Sequence, residues 1–97
     1  MMQKMSEELK EYVELTTKKL VDNVDGVEVK VVISTKSVII QIKTDKSDCG
    51  KVIGKKGRTV EAIKILILAI KNTHFPDDTR RVSIEIIEDE TSDFRYT

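Results

Sequence analysis

Two lysines enclosed by two glycines, Gly54-Lys55-Lys56-Gly57, are the residues of this 97-residue sequence with the clearest chemistry. We name this segment the GKKG turn. A glycine has no Cβ, so a strand of phosphates can approach the backbone of the turn closely. The pattern that follows predicts a helix from Arg58, and the unpaired amides at a helix start bind anions. Together with the charge of the two lysines, these features predict a site for the phosphates of a polyanion.

The residues before the turn extend the same chemistry. Val52 and Ile53 form an apolar shelf on which unstacked bases can lie. The segment Lys46–Arg58 has five basic residues against the single acid Asp48, a local net charge of +4, whereas residues 85–97 carry −4. The formal net charge of the whole chain is zero. Attraction to a nucleic acid must therefore come from the basic segment and not from the protein as a whole.

Two other phosphate motifs do not fit this segment. A P-loop requires four residues between two glycines, followed by Lys and then Ser or Thr. Here three residues separate Gly50 from Gly54, and Lys-Lys-Gly follows. The dinucleotide-binding fingerprint requires a glycine at the position of Val52. The sequence therefore excludes both motifs.

Cys49 and His74 are the only cysteine and the only histidine of the chain. A Cys–His nucleophile requires contact between the two side chains, but a helix of about 15 residues, about 22 Å long, is expected to separate them. One cysteine also excludes a disulfide framework and a four-cysteine zinc site. We therefore expect no enzyme, no metal and no cofactor. Cys49 is predicted to be a small buried residue, and His74 to lie at a helix C-terminus.

The first half of the chain predicts a helix followed by a β-hairpin. Ser6 is expected to cap a helix that ends near Leu20, with apolar residues three and four positions apart. Two runs that alternate with period two, 27–33 and 38–43, predict an antiparallel hairpin. The core-facing residues of these elements are predicted to be Met5, Leu9, Tyr12, Val13, Thr16, Leu20, Val27, Val29, Val31, Val38, Ile40 and Ile42.

The second half predicts a short helix over 48–53, a long helix from Arg58 to about Asn72, and a third strand over 81–87. The order is α-β-β-α-α-β. Because the two helices form a crossover, strands two and three are expected to be parallel. The sequence therefore predicts an α+β domain, with a three-stranded mixed sheet and three helices packed on one face.

Length and composition indicate one domain over 1–88, followed by an acidic, flexible tail over 89–97. No apolar run reaches the 18 residues typical of a membrane span, and the N-terminus lacks the apolar segment of a signal peptide. A cytoplasmic protein with no membrane association is expected.

The long helix carries more apolar residues than one core stripe needs. Its inward stripe is predicted to be Val60, Ile63, Leu66, Ile67 and Ile70. Ile65 and Leu68 fall about 140–200° away from Ile63 around the helix axis. Either the N-terminal helix covers them, or they form a partner interface. Both alternatives are open at this point.

The motif Gly50-Lys51-Val52-Ile53-Gly54-Lys55-Lys56-Gly57-Arg58, set in this order of elements, resembles the type II KH domain. More narrowly, it resembles the small bacterial single-KH proteins of the KhpA family, over roughly residues 6–88. The resemblance implies a non-enzymatic single-stranded RNA binder whose GxxG loop, here the GKKG turn, clamps the backbone of about four nucleotides. By position, Gly50, Lys51, Val52, Ile53 and Arg58 would flank the RNA groove.

The resemblance also implies partners and a cellular role. KhpA proteins form homodimers and pair with a larger KH protein of the KhpB/Jag type. They act as RNA chaperones or post-transcriptional regulators linked to cell elongation and envelope homeostasis. The tail after Ile87 is longer than the family pattern, and Cys49 replaces an apolar residue. The zero net charge and the acidic tail favour an alternative, a protein–protein adaptor on a KH scaffold with little RNA affinity.

Overall fold

Three helices pack on one face of a mixed sheet in a computed structural model of the protein. The structure describes the backbone of residues 2–89 and 92–96 and the side chains of residues 4–87. The elements are α1 (Met2–Leu20), β1 (Glu28–Ile33), β2 (Ser37–Lys43), α2 (Cys49–Ile53), α3 (Arg58–His74), β3 (Arg81–Asp89) and β4 (Ser92–Tyr96). Single 3₁₀ turns cover Val24–Gly26, Lys46–Asp48 and Lys55–Gly57. The first six of these helices and strands confirm the predicted order α-β-β-α-α-β.

The sheet has the predicted mixture of pairings. β1 and β2 are antiparallel, with Val31 opposite Ile40. β2 and β3 are parallel, with Ile40 opposite Ile84. The parallel pairing follows from the crossover through α2 and α3, which returns the chain to the end of the sheet where β2 began.

A fourth strand extends the predicted three-stranded sheet. β4 pairs with β3 in antiparallel orientation, with Phe94 opposite Ile86, and the strand order is β1-β2-β3-β4. The sequence pattern does not predict β4, because Glu88, Asp89 and Glu90 precede it and Asp93 lies within it, and acidic residues are depleted in strands. The division of the chain into a domain over 1–88 and a tail over 89–97 stays a prediction.

The core lies between the helices and the sheet. The alternation of the hairpin places Val38, Ile40 and Ile42 fully inside, as predicted, while Val31 is partly buried. From the other elements the core receives Met5, Leu9, Val13, Val52, Val60, Ile63, Ile67, Ile84 and Ile86. The burial of aliphatic side chains from all three helices fixes their positions on the sheet.

The two long helices differ from their predicted details. α1 begins at Met2, so Ser6 lies inside the helix and does not cap it. In α3, Leu66 is 51% exposed and does not belong to the inward stripe. It lies about 100° from Ile67, the centre of the buried stripe, and therefore turns towards solvent.

A lysine completes the buried face of α3. Lys71, four residues after Ile67, is 2% exposed. Its Nζ donates to the backbone oxygen of Asp78 at 2.6 Å and lies 3.2 Å from Asp78 Oδ1. Arg80 binds the same carboxylate at 2.6 Å. The buried charge is thus compensated, and the loop between α3 and β3 is held against the helix.

Candidate nucleic-acid interface

The GKKG turn connects α2 to α3 through left-handed backbone conformations. Gly54 has φ 78° and ψ 170°, and Gly57 has φ 75° and ψ 14°. Lys56, with φ 58°, is the non-glycine residue of positive φ in the part of the chain that the structure describes. This conformation costs a non-glycine residue roughly 1–2 kcal/mol. The rest of the fold therefore stabilises the turn in a conformation with positive φ, which the two glycines adopt without strain.

The side chains of the turn project into solvent. Lys55, Lys56 and Arg58 are exposed. None of the three has an ion-pair or hydrogen-bond partner among the side chains of residues 4–87. Three cations next to one another are therefore available to an external anion.

The amides of the turn are less available than the sequence suggests. The Gly57 amide donates to the Gly54 oxygen at 3.1 Å, and the Arg58 amide donates to the Lys55 oxygen. Both donors are used inside the turn. The Gly57 and Arg58 amides are therefore not available to an anion, whereas the side chains of Lys55, Lys56 and Arg58 are exposed.

A shallow depression continues from the turn onto the outer face of α3. Its volume is about 360 Å³, and its walls are formed by Lys56, Gly57, Arg58, Glu61, Ala62 and Ile65. The basic turn and the exposed part of α3 therefore form one continuous surface.

The apolar shelf predicted before the turn is smaller than expected. Val52 has no exposed surface and belongs to the core. Ile53 is half-buried and packs against the core from the edge. Gly50 is exposed, with open space where a Cβ would lie. The shelf therefore consists of Ile53, because α2 must turn Val52 inward to attach itself to the sheet.

Lys51 has intramolecular partners. Its Nζ donates to Asp22 Oδ2 at 2.8 Å and to Asp48 Oδ1 at 2.9 Å. The hydrogen bond from Lys51, followed by that from the Asn23 amide, lowers the pKa of Asp48 to about 2. The basic cluster therefore presents Lys46, Lys55, Lys56 and Arg58. The spacing of Asp48 and Lys51 on one helix face predicts their contact, but no local signal points to Asp22.

The two candidate interface residues of α3 differ in exposure. Ile65 is 56% exposed, whereas Leu68 is partly buried and packs against the core. Leu66, placed in the core from the sequence, is exposed instead. An exposed apolar stripe consists of Ala62, Ile65, Leu66 and Ala69.

Cys49 and His74 occupy different parts of the fold. Cys49 is buried at the start of α2, where its Sγ lies 3.3 Å from Thr44 Oγ1. His74 is the last residue of α3 and contacts the carboxylate of Glu8 in α1. Within the described residues, no three His, Cys, Asp or Glu side chains are grouped so as to hold a metal ion.

No helix in the described part of the chain is long and apolar enough to cross a membrane.

Comparison with known proteins agrees with this geometry. Residues 10–86 match the family model described as KhpA/KhpB, KH domain. The "RNA-binding protein KhpA" of Aquifex aeolicus is 42% identical over 80 residues, which cover 82% of this chain and 96% of the relative. The protein of the same name from Caldanaerobacter subterraneus is 43% identical over 77 residues, 79% of this chain and 97% of the relative.

A third relative, the "RNA-binding protein KhpA" of Chlamydia trachomatis, is 37% identical over 81 residues, 84% of this chain and 99% of the relative. No solved structure matches the chain. The resemblance seen in the motif around the GKKG turn is thereby confirmed over most of the sequence. With its α-β-β-α-α-β order and a GxxG turn between two helices, the chain belongs to the KhpA/KhpB family of KH domains.

Proposed function

We propose that this protein binds single-stranded RNA and that the GKKG turn holds the RNA backbone. The main support is the pair Lys55 and Lys56, exposed and without ionic partners in the described region, on a turn of left-handed backbone. The curated relatives are named RNA-binding proteins. A GxxG turn of this kind clamps the backbone of about four nucleotides.

Each residue of the predicted site has a role that fits its position. Gly54 and Gly57 shape the turn, while Lys55, Lys56 and Arg58 neutralise phosphates. Bases would lie against half-buried Ile53, next to the open surface at Gly50. Val52 supports Ile53 from the core, and Lys51 borders the groove with its charge already paired.

A site with so few contacts gives modest affinity, so tight binding requires a second site. The exposed stripe of α3 supports a homodimer as its source. The stripe has a small residue at each end, Ala62 and Ala69, and two large residues at its centre, Ile65 and Leu66. An antiparallel second copy would place Ile65 against Leu66 and Ala62 against Ala69, the self-complementary arrangement of a two-fold interface. A KhpB/Jag-type KH protein would use the same stripe in a heterodimer.

Reversing the two charges of the turn tests RNA binding. The double variant Lys55→Asp, Lys56→Asp should abolish binding of a short single-stranded RNA, measured by fluorescence anisotropy, with the melting temperature nearly unchanged. The matched control is Lys4→Asp, Lys10→Asp, which makes the same charge change at exposed positions of α1. Unaltered affinity in a folded Lys55/Lys56 variant would rule out the clamp.

An adaptor with little RNA affinity is the second candidate function. It is favoured by the zero net charge and by the exposed apolar stripe of α3. The ratio of absorbance at 260 nm to that at 280 nm tests this candidate. A ratio raised by nucleic acid bound to the purified protein would contradict the adaptor function. The links to RNA chaperoning, cell elongation and envelope homeostasis stay predictions of the family resemblance. The cytoplasmic location and the absence of catalysis stay predictions of the sequence analysis.

A further inference from the structure

A network of charged groups ties the end of α1 to the start of α2. Asp48 is 1% exposed, and its carboxylate accepts hydrogen bonds from the amides of Asp22 at 3.2 Å and Asn23 at 3.0 Å. Lys51 donates to the same carboxylate at 2.9 Å and to Asp22 at 2.8 Å. The network therefore joins two segments that lie 26 residues apart in the sequence.

The short helix α2 needs such an anchor. It has five residues, far fewer than an isolated helix requires for stability. Burial of Cys49 and Val52 fixes one face of α2 on the core. The bonds of Asp48 and Lys51 hold the helix from a second direction. The Gly54 amide donates to the Gly50 oxygen at 2.9 Å, so the first residue of the GKKG turn is bonded to α2. The orientation of α2 therefore determines the position of the turn.

We propose that Asp48 and Lys51 are positioning residues for the GKKG turn: Asp48 anchors α2 to the end of α1, and Lys51 completes this anchor instead of binding an RNA phosphate. The test of this proposal by RNA affinity rests on the RNA-binding function proposed above. It changes the role of Lys51, a cation next to the turn, from ligand contact to support.

Electrostatics favours the intramolecular pairing. The pKa of Lys51 is raised by its hydrogen bonds to Asp22 and then Asp48, and the pKa of Asp48 is lowered to about 2, so Lys51 and Asp48 are both charged at neutral pH. If Lys51 turned towards RNA, the buried Asp48 carboxylate would keep two amide donors and lose its cation. Removing one partner from a buried charge is costly. Lys55 and Lys56 reach an anion without such a loss.

The salt dependence of RNA binding separates support from contact. Each phosphate contact to a single strand adds about 0.7 to the magnitude of the slope of log K against log salt. The variant Lys55→Met should lower this magnitude by about 0.7. Lys51→Met should weaken binding by about five- to tenfold with the slope unchanged, and Lys51→Arg, which can donate to both aspartates, should restore affinity to within about twofold. An equal loss of slope in Lys51→Met would overturn the proposal.

A readout without RNA keeps the anchor testable on its own. In ¹⁵N NMR spectra of the free protein, Lys51→Met should shift the amide signals of Gly54 to Gly57, and Lys51→Arg should return them. A core variant remote from the network, Val13→Ala, should lower the melting temperature and leave those signals in place. Unmoved signals in Lys51→Met would contradict the proposal. If wild-type protein bound no RNA while the signals moved, the RNA-binding function would fail and the anchor would stand.

Discussion

The side chain of Thr59 fills the space beside Gly54. A Cβ built on Gly54 would lie 2.6 Å from Thr59 Cβ and 2.7 Å from the Thr59 amide nitrogen. Real Cβ atoms do not approach other heavy atoms so closely, and Gly54 also has φ 78°. The first turn of α3 can therefore pack against the GKKG turn only because position 54 has no side chain.

The variant Gly54→Ala should consequently be destabilised by roughly 1–3 kcal/mol, the usual cost of a strained backbone residue, and should bind RNA more weakly. Urea unfolding monitored by circular dichroism measures the change. Gly50→Ala is the matched control, because open space surrounds that position and alanine favours a helix. Equal stability of the two variants would contradict the role assigned to Gly54.

The affinity of the wild-type protein for single-stranded RNA should depend moderately on salt. Three or four cations without an ionic partner among the side chains of residues 4–87, at Lys46, Lys55, Lys56 and Arg58, predict a slope of log K against log salt of about −2 to −3. Titrations between low and physiological salt provide the measurement. A flat dependence would remove phosphate contact from the site.

The exposed stripe of α3 should control the oligomeric state. Leu66→Glu is expected to give a folded monomer, because a carboxylate at the centre of the stripe cannot be buried against a second copy. Light scattering after size-exclusion chromatography reports the mass. Leu15→Glu, at a position of α1 that is 58% exposed, is the control and should leave the mass unchanged. A wild-type protein that is monomeric at high concentration would contradict the homodimer.

The contribution of Asp48 to stability should disappear in acid. Its pKa is lowered from 3.8 to about 2 in the folded protein, chiefly by the hydrogen bond from Lys51. A carboxyl whose folded pKa is lowered stabilises the fold above its unfolded pKa, and this stability is lost as the pH falls towards the folded value. The melting temperature of Asp48→Asn should therefore lie below that of wild type at pH 7, and the gap should narrow between about pH 4 and pH 2. A gap that stayed constant over this range would contradict the assignment.

Local sequence patterns predicted the elements well where one face of an element is buried. The alternation of Val38, Ile40 and Ile42 indicated their side of the sheet, because a strand repeats every two residues. A helix turns 100° per residue, so an apolar residue at the border of the stripe is harder to assign. For this reason the pattern predicts Leu66 inside, whereas in the structure Lys71 lies on the buried face and Leu66 is exposed.

The amino-acid sequence by itself determined the chemistry of the GKKG turn, since two glycines permit positive φ and two lysines supply charge wherever the turn lies. Tertiary structure decided which cations are available. Lys51 and Lys55 are both lysines of the basic segment, and the sequence does not distinguish them. In the fold, Asp22 and the buried Asp48 contact Lys51, whereas Lys55 is exposed to solvent. Pairing of charges depends on distance and burial, and both are set by contacts between segments far apart in the chain.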